Sequence, residues 1–110
     1  MSTPYKAIDF IVANAPKFAK AKSDRIYLEE FRKTKKALLM KEAMQAGFDS
    51  AVSQEREAYA HPDYQVLLRG LAEAIEIEET LKWRMTAAEM KTEVWRTESA
   101  NARMQIKSTE

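Results

Sequence analysis

From Pro62 to Ile106 the chain reads PDYQVLLRGLAEAIEIEETLKWRMTAAEMKTEVWRTESANARMQI, a stretch with no second proline and a single glycine, Gly70. Leu67, Leu71, Ala74, Glu78, Leu81, Met85, Ala88, Thr92, Trp95, Ser99, Ala102 and Ile106 alternate spacings of four and three. That is the repeat of a helix lying along another helix, with Glu78, Thr92 and Ser99 as polar interruptions. A rod of about 44 residues is roughly 66 Å long at 1.5 Å per residue. A 110-residue globule has a diameter on the order of 35 Å. Either the helix breaks near Gly70 or its free length packs on other subunits. Trp83, Met85, Met90, Val94 and Trp95 exceed what one partner helix covers. The expectation is therefore a homo-oligomer with Leu81, Met85, Ala88 and Trp95 at the interface.

Upstream of this stretch, His61-Pro62-Asp63 is a boundary, with Pro62 at the first helical position and His61 as a cap or exposed turn residue. Residues 48–61 form a connector in which Asp49, Ser50 or Ser53 caps a short helix carrying Val52 and Tyr59. Gly47 stops the preceding helix. From Lys17 to Ala46 there is no proline or glycine, and Tyr27, Phe31 and Leu38 with Leu28, Leu39 and Ala43 fall at helical intervals. Thr3-Pro4 starts a first short helix with Ile8, Ile11 and Val12 on one face. Pro16 is expected to end it near Asn14. The segments are 4–14, 17–46, 48–61 and 62–107, a single domain. The fold class is all-α: a long helical hairpin with a short N-terminal helix, assembling as a homo-oligomeric bundle or ring.

Composition agrees. Two glycines, sparse β-branched residues and abundant Ala, Glu, Lys and Met are those of long helices. Zero cysteines exclude disulfide scaffolds, thiolate metal sites and thiol nucleophiles, and a single histidine excludes His-cluster metal enzymes. No run of apolar residues exceeds four, as at Ala37–Met40, so no membrane span is expected. A secretory signal is not expected either, since Asp9 interrupts the early hydrophobes. Glycines at 47 and 70 alone cannot build a phosphate loop. His61 has no triad companions, and Glu73, Glu76, Glu78 and Glu79 without histidine are a weak metal signal. No catalytic residue, metal or cofactor is expected.

A net charge of +1 conceals an asymmetry. Residues 15–46 hold nine basic and four acidic residues, a charge of +5; residues 47–110 hold eight and twelve, a charge of −4. Arg32, Lys33, Lys35 and Lys36 make a broad positive face that Lys22 and Arg25 extend. Such a face attracts phosphates without base specificity, and Tyr27 and Phe31 are close enough to stack on unpaired bases. The same pattern suits a solvated face, with Glu29 pairing Lys33 at i, i+4. It suits equally a face complementary to Glu73, Glu76, Glu78 and Glu79. Tyr27 and Phe31 are more often core residues than base platforms.

Three blocks, Tyr27-Leu28-Glu29-Glu30-Phe31-Arg32-Lys33-Thr34-Lys35-Lys36-Ala37-Leu38-Leu39-Met40, Glu55-Arg56-Glu57-Ala58-Tyr59-Ala60-His61-Pro62-Asp63-Tyr64, and Leu81-Lys82-Trp83-Arg84 through Val94-Trp95-Arg96-Thr97 to Ala100-Asn101, carry a resemblance. The arrangement resembles small proteins of phage and prophage recombination modules and, through them, the UvsY-type recombination mediators. In that family a basic helix precedes a Tyr-rich turn, an acidic connector and a long aromatic-bearing C-terminal helix. Lys35-Lys36-Ala37-Leu38-Leu39 looks like the basic helix and Leu81–Trp95 like the C-terminal one. The family's Leu-Asp-Tyr-Tyr-Ser-Gly turn is replaced here by Lys41-Glu42-Ala43-Met44-Gln45-Ala46-Gly47, which limits the transfer of DNA-binding residues beyond Arg32, Lys33, Lys35 and Lys36. The resemblance implies a non-catalytic homo-oligomer in the cytoplasm of a bacterial host. It would bind single-stranded DNA without sequence preference and help load a RecA-like recombinase in place of single-strand-binding protein. The competing expectations are a helical adaptor that docks a partner protein through Trp83, Trp95 and the methionines, and a virion or assembly component.

Overall fold

The helix-forming composition produces three helices, and a computed structural model describes residues 4–109. They are α1 (Pro4–Gln45), α2 (Ala51–Ala60) and α3 (Pro62–Thr109), with no strand among the described residues. Gly70 does not break α3. A glycine inside a helix costs only about 1 kcal/mol relative to alanine, which the packed turns around it offset. The described residues divide into two compact units: 20–78, here the middle unit, and 4–19 with 79–109, the terminal unit.

In the middle unit α1 and α3 run antiparallel. Ala21 and Leu28 of α1 share a groove with Ala74 and Gly70 of α3, and Lys35 reaches Asp63. The core lies where all three helices meet. Leu39, Ala58 and Tyr64 are buried together, with Met40 and Leu68 packed on them, and Tyr59 meets Tyr64 edge to face at 5.3 Å. The short helix expected to carry Val52 and Tyr59 forms, with Val52 70% exposed, Tyr59 41% exposed beside Tyr64, and Ala58 fully buried. A methyl group on α2 lets its backbone approach Leu39 and Tyr64 closely, which a larger side chain there would prevent.

The link between α1 and α2 follows from local chemistry. Gly47 adopts φ +105°, a conformation disfavoured for any residue with a Cβ. Its N–H donates to Met44 O, and Phe48 N–H donates to Ala43 O, both at 3.1 Å. These two bonds form a Schellman motif and satisfy carbonyls that the helix end leaves open. Because an added Cβ at Gly47 would meet nothing within 4 Å, the cost of Gly47→Ala is backbone strain alone. Urea unfolding of that variant is expected to show a loss of about 1–2 kcal/mol. Among the three candidate caps, Ser50 fills the role: its Oγ accepts from Ser53 N–H at 3.1 Å, with Ser50 in extended geometry.

His61 joins α2 to α3 as a double cap. Its N–H donates to Ala58 O at 3.2 Å, and its Nδ1 accepts the Asp63 N–H at 3.0 Å. Pro62 at the first position of α3 has no N–H to satisfy, and Asp63 places a negative charge at the positive end of the helix dipole.

In the terminal unit the expected break at Asn14–Pro16 is absent, and α1 passes through Pro16. Proline here removes one hydrogen bond, that to the carbonyl of Val12. Pro16 and Val12 lie on the exposed side, where water can satisfy that carbonyl, while Asn14 and Phe18 on either side are half-buried. Packing of those flanking residues overrides the local preference of the residue before proline. The Asn14 side-chain amide also donates to Phe10 O at 2.8 Å. Ile8 and Val12, expected on the apolar face with Ile11, are exposed. The inward stripe here is Ala7, Ile11, Asn14 and Phe18. Thr3, expected to cap this helix, lies outside the described residues.

The seam on α3 is inward through most of its length. Leu71, Ala74 and Glu78 are buried and Leu67 half-buried in the middle unit; Ala88 is buried and Leu81, Met85, Thr92 and Ser99 half-buried in the terminal unit. Toward the C-terminus the seam opens, with Trp95, Ala102 and Ile106 exposed. Of the four residues expected at an oligomer interface, Leu81, Met85 and Ala88 are thus engaged inside one chain, and Trp95 alone is exposed.

Candidate nucleic-acid interface

The basic segment occupies α1 within the middle unit, and its six cations have different fates. Arg25 is half-buried and bound across the helices to Glu78, the only buried charged residue among those described. Its Nε donates to Glu78 Oε2, its Nη2 to Glu78 Oε1 at 3.2 Å, and its Nη1 to both Glu29 oxygens at 3.0 Å. These carboxylates, Glu78 first and Glu29 second, hold the guanidinium pKa above its ordinary value. Arg25 is therefore a structural cation rather than an open part of the basic face.

Lys35 and Lys36 are half-buried as well. The Lys35 ammonium lies 3.7 Å from Asp63 of α3, and that of Lys36 lies 3.4 Å from Glu55 of α2 and 4.8 Å over the Tyr59 ring. Tyr59 first, then Glu55, raise the Lys36 pKa. Lys35 thus pairs across to α3, and Lys36 pairs across to α2.

Lys22, Arg32 and Lys33 are exposed. Lys22 and Arg32 make no ion pair among the described residues, and Lys33 makes one surface pair, with Glu30 at 3.5 Å. Such pairs contribute little and yield readily to a competing anion. Glu29, expected to pair with Lys33, turns to Arg25 instead. Eleven residues separate Lys22 from Lys33, about three turns or 17 Å along one side of the helix, whereas Arg32 points roughly 100° away.

The two aromatic residues also separate. Tyr27 and Phe31 stack with ring centroids 5.8 Å apart and planes 8° from parallel. Phe31 is half-buried, but Tyr27 is 64% exposed, contrary to the expectation that it is core. It stands at an open groove of about 340 Å³ floored by Ala21, Gly70 and Ala74, with Asp24 and Glu73 at the rim.

A second groove, in the terminal unit, is built from residues that sequence reading did not single out. Lys6 of α1 with Arg84 and Lys91 of α3 line a space of about 470 Å³ together with buried Ala7 and Ala88, half-buried Phe10 and, at its outer edge, exposed Ala87. None of the three cations makes an ion pair among the described residues. Arg84 and Lys91 stand one heptad apart, so their shared side of α3 was legible; the approach of Lys6 depends on the antiparallel packing of α1.

The acidic patch does not gather. Glu78 points inward to Arg25, while Glu73, Glu76 and Glu79 are exposed, and no group of three metal-ligating side chains occurs among the described residues. No helix of the described residues is long and apolar enough to cross a membrane. Comparison with protein-family models, curated proteins and solved structures finds no match for the chain.

Proposed function

We propose that this chain is a non-catalytic, self-associating protein that binds single-stranded DNA and acts as a recombination mediator, helping to load a RecA-like recombinase. The observation that carries this reading is the exposure of Tyr27 on the helix that also displays Lys22, Arg32 and Lys33. An exposed aromatic ring offers an unpaired base a stacking surface, and the cations displayed on other sides of the same helix, roughly 120–140° around from Tyr27, offer the phosphates of a strand that wraps the helix a counter-charge. Duplex DNA keeps its bases stacked and cannot use the ring. The resemblance to UvsY-type mediators supports the same reading.

The test is fluorescence anisotropy with labelled single-stranded and duplex oligonucleotides across a salt series. Single-strand binding that weakens steeply with salt is expected. The triple variant Lys22→Glu, Arg32→Glu, Lys33→Glu should bind at least tenfold more weakly, with the salt slope reduced by about 2. Lys35 and Lys36 are left out of the variant, because charge reversal there would set a new carboxylate against Asp63 or Glu55 of the same chain. Binding by the triple variant equal to wild type would overturn the assignment of these residues.

A second reading, a helical adaptor or assembly component without nucleic-acid binding, is favoured by one observation: Arg25, Lys35 and Lys36, half of the expected track, are engaged with carboxylates of the same chain. Absence of single-strand binding even at low salt would establish that reading over the first.

A further inference from the structure

The side of α3 opposite its inward seam carries a second repeat. Trp83, Ala87, Met90, Val94, Thr97 and Asn101 again alternate spacings of four and three, and all are exposed. Trp83 is 64%, Met90 63% and Val94 56% exposed. Trp83 lies two residues from both Leu81 and Met85 of the inward seam, a rotation of roughly 200°, so the two stripes face opposite ways. A stripe with this period fits a straight helical partner, because alternating four and three keeps its side chains in register with another helix over several turns.

We infer that this stripe pairs antiparallel with the same stripe of a second copy of the chain, centred near Thr92. The deduction deepens the function proposed above and rests on its self-association. In that alignment Met90 lies level with Val94 of the second copy, Ala87 with its Thr97 and Trp83 with its Asn101, so large side chains meet smaller ones. The flanking charges select the direction. Arg84 comes opposite Glu98 of the second copy and Glu79 opposite its Lys107, each contact occurring twice by symmetry. Like charges meet only at the centre, Lys91 with Lys91 and Glu93 with Glu93, and Glu93 is already paired with Arg96 at 3.2 Å within its own chain. A parallel pair in register would instead set Glu93 against Glu98 twice, with only Glu79–Arg84 in compensation. The cation-rimmed groove supports the antiparallel choice. Lys6 and Lys91 stand beside Arg84 at its edge, so the incoming Glu98 carboxylate meets three positive charges.

The experiment is sedimentation equilibrium on the full chain without DNA, with circular dichroism to confirm helix content. Wild type is expected to be a dimer or a higher even-numbered assembly at tens of micromolar, and Val94→Arg a folded monomer, since Val94 is 56% exposed in its own chain. Arg84→Glu and Glu98→Arg singly should each raise the dissociation constant on the order of tenfold or more, and the double swap should restore it to near wild type. A monomeric wild type, an assembly unchanged by Val94→Arg, or a double swap no better than the singles would each overturn the pairing. Loss of oligonucleotide binding in Arg84→Glu with unchanged assembly mass would also overturn it, placing nucleic acid in the groove instead. Because the mass measurement contains no DNA, failure of the pairing and failure of DNA binding are read separately.

Discussion

Leu39→Ala is expected to destabilise the chain by about 2–3 kcal/mol, measured as a shift in the urea midpoint at constant m-value. Leu39 is the more deeply buried of the two buried leucines of the middle unit, 4% exposed against 7% for Leu71, and it touches the packing of all three helices through Ala58 and Tyr64. Truncation removes the transfer energy of the lost carbons and leaves a space that the backbone of α2 cannot fill, because Ala58 presents only a methyl group. Met40 and Leu68 are partly exposed and adaptable, and their inward shift places the expected cost toward the lower part of the usual range. A loss below about 0.5 kcal/mol would mean that the three-helix cluster does not hold the middle unit together.

The second large effect belongs to the Arg25–Glu78 pair. Arg25→Ala leaves the Glu78 carboxylate desolvated at 8% exposure with its arginine gone, and a drop in thermal midpoint on the order of 10 °C is expected. The double variant Arg25→Met, Glu78→Leu should melt at or above the wild-type temperature, since apolar side chains of similar volume replace the pair without its desolvation cost. The contrast between single and double variants is the diagnostic result. Equal midpoints for Arg25→Ala and wild type would show that the pair contributes nothing to the fold. The pair also sits where an apolar residue would otherwise continue both stripes, so it favours the register in which 25 meets 78 over slipped alternatives. The double variant therefore tests register as well: a broadened transition would accompany its loss.

Much of the architecture was legible in local chemistry. Gly47 ends α1, Ser50 caps α2, and Pro62 begins α3, because each acts through its own backbone geometry and its immediate neighbours. The α3 seam was legible because a buried helix face repeats with the helical period whatever lies against it. The stripe on α1 was legible only in part: Ile11, Leu28, Phe31, Leu39 and Ala43 turn inward at the spacing read from the sequence, whereas Ala7, Asn14, Ala21, Arg25 and Lys35 carry no strong apolar signal and face inward because α3 presents Ala88, Ala74, Glu78 and Asp63. Pro16 was misleading for a similar reason. Its local cost is real, but half-buried neighbours on either side outweigh it.

The basic face shows the same division. That α1 is cationic follows from composition alone, as does its capacity to attract phosphate. Which cations are available was decided by packing: Arg25, Lys35 and Lys36 lie within reach of carboxylates on α2 and α3, leaving Lys22, Arg32 and Lys33 outward. Tyr27 is exposed and Ala58 is buried for one reason, the direction from which neighbouring helices approach. Sequence determines elements whose causes are local or periodic, whereas pairing and burial arise from residues far apart in the chain and are decided only when the helices meet.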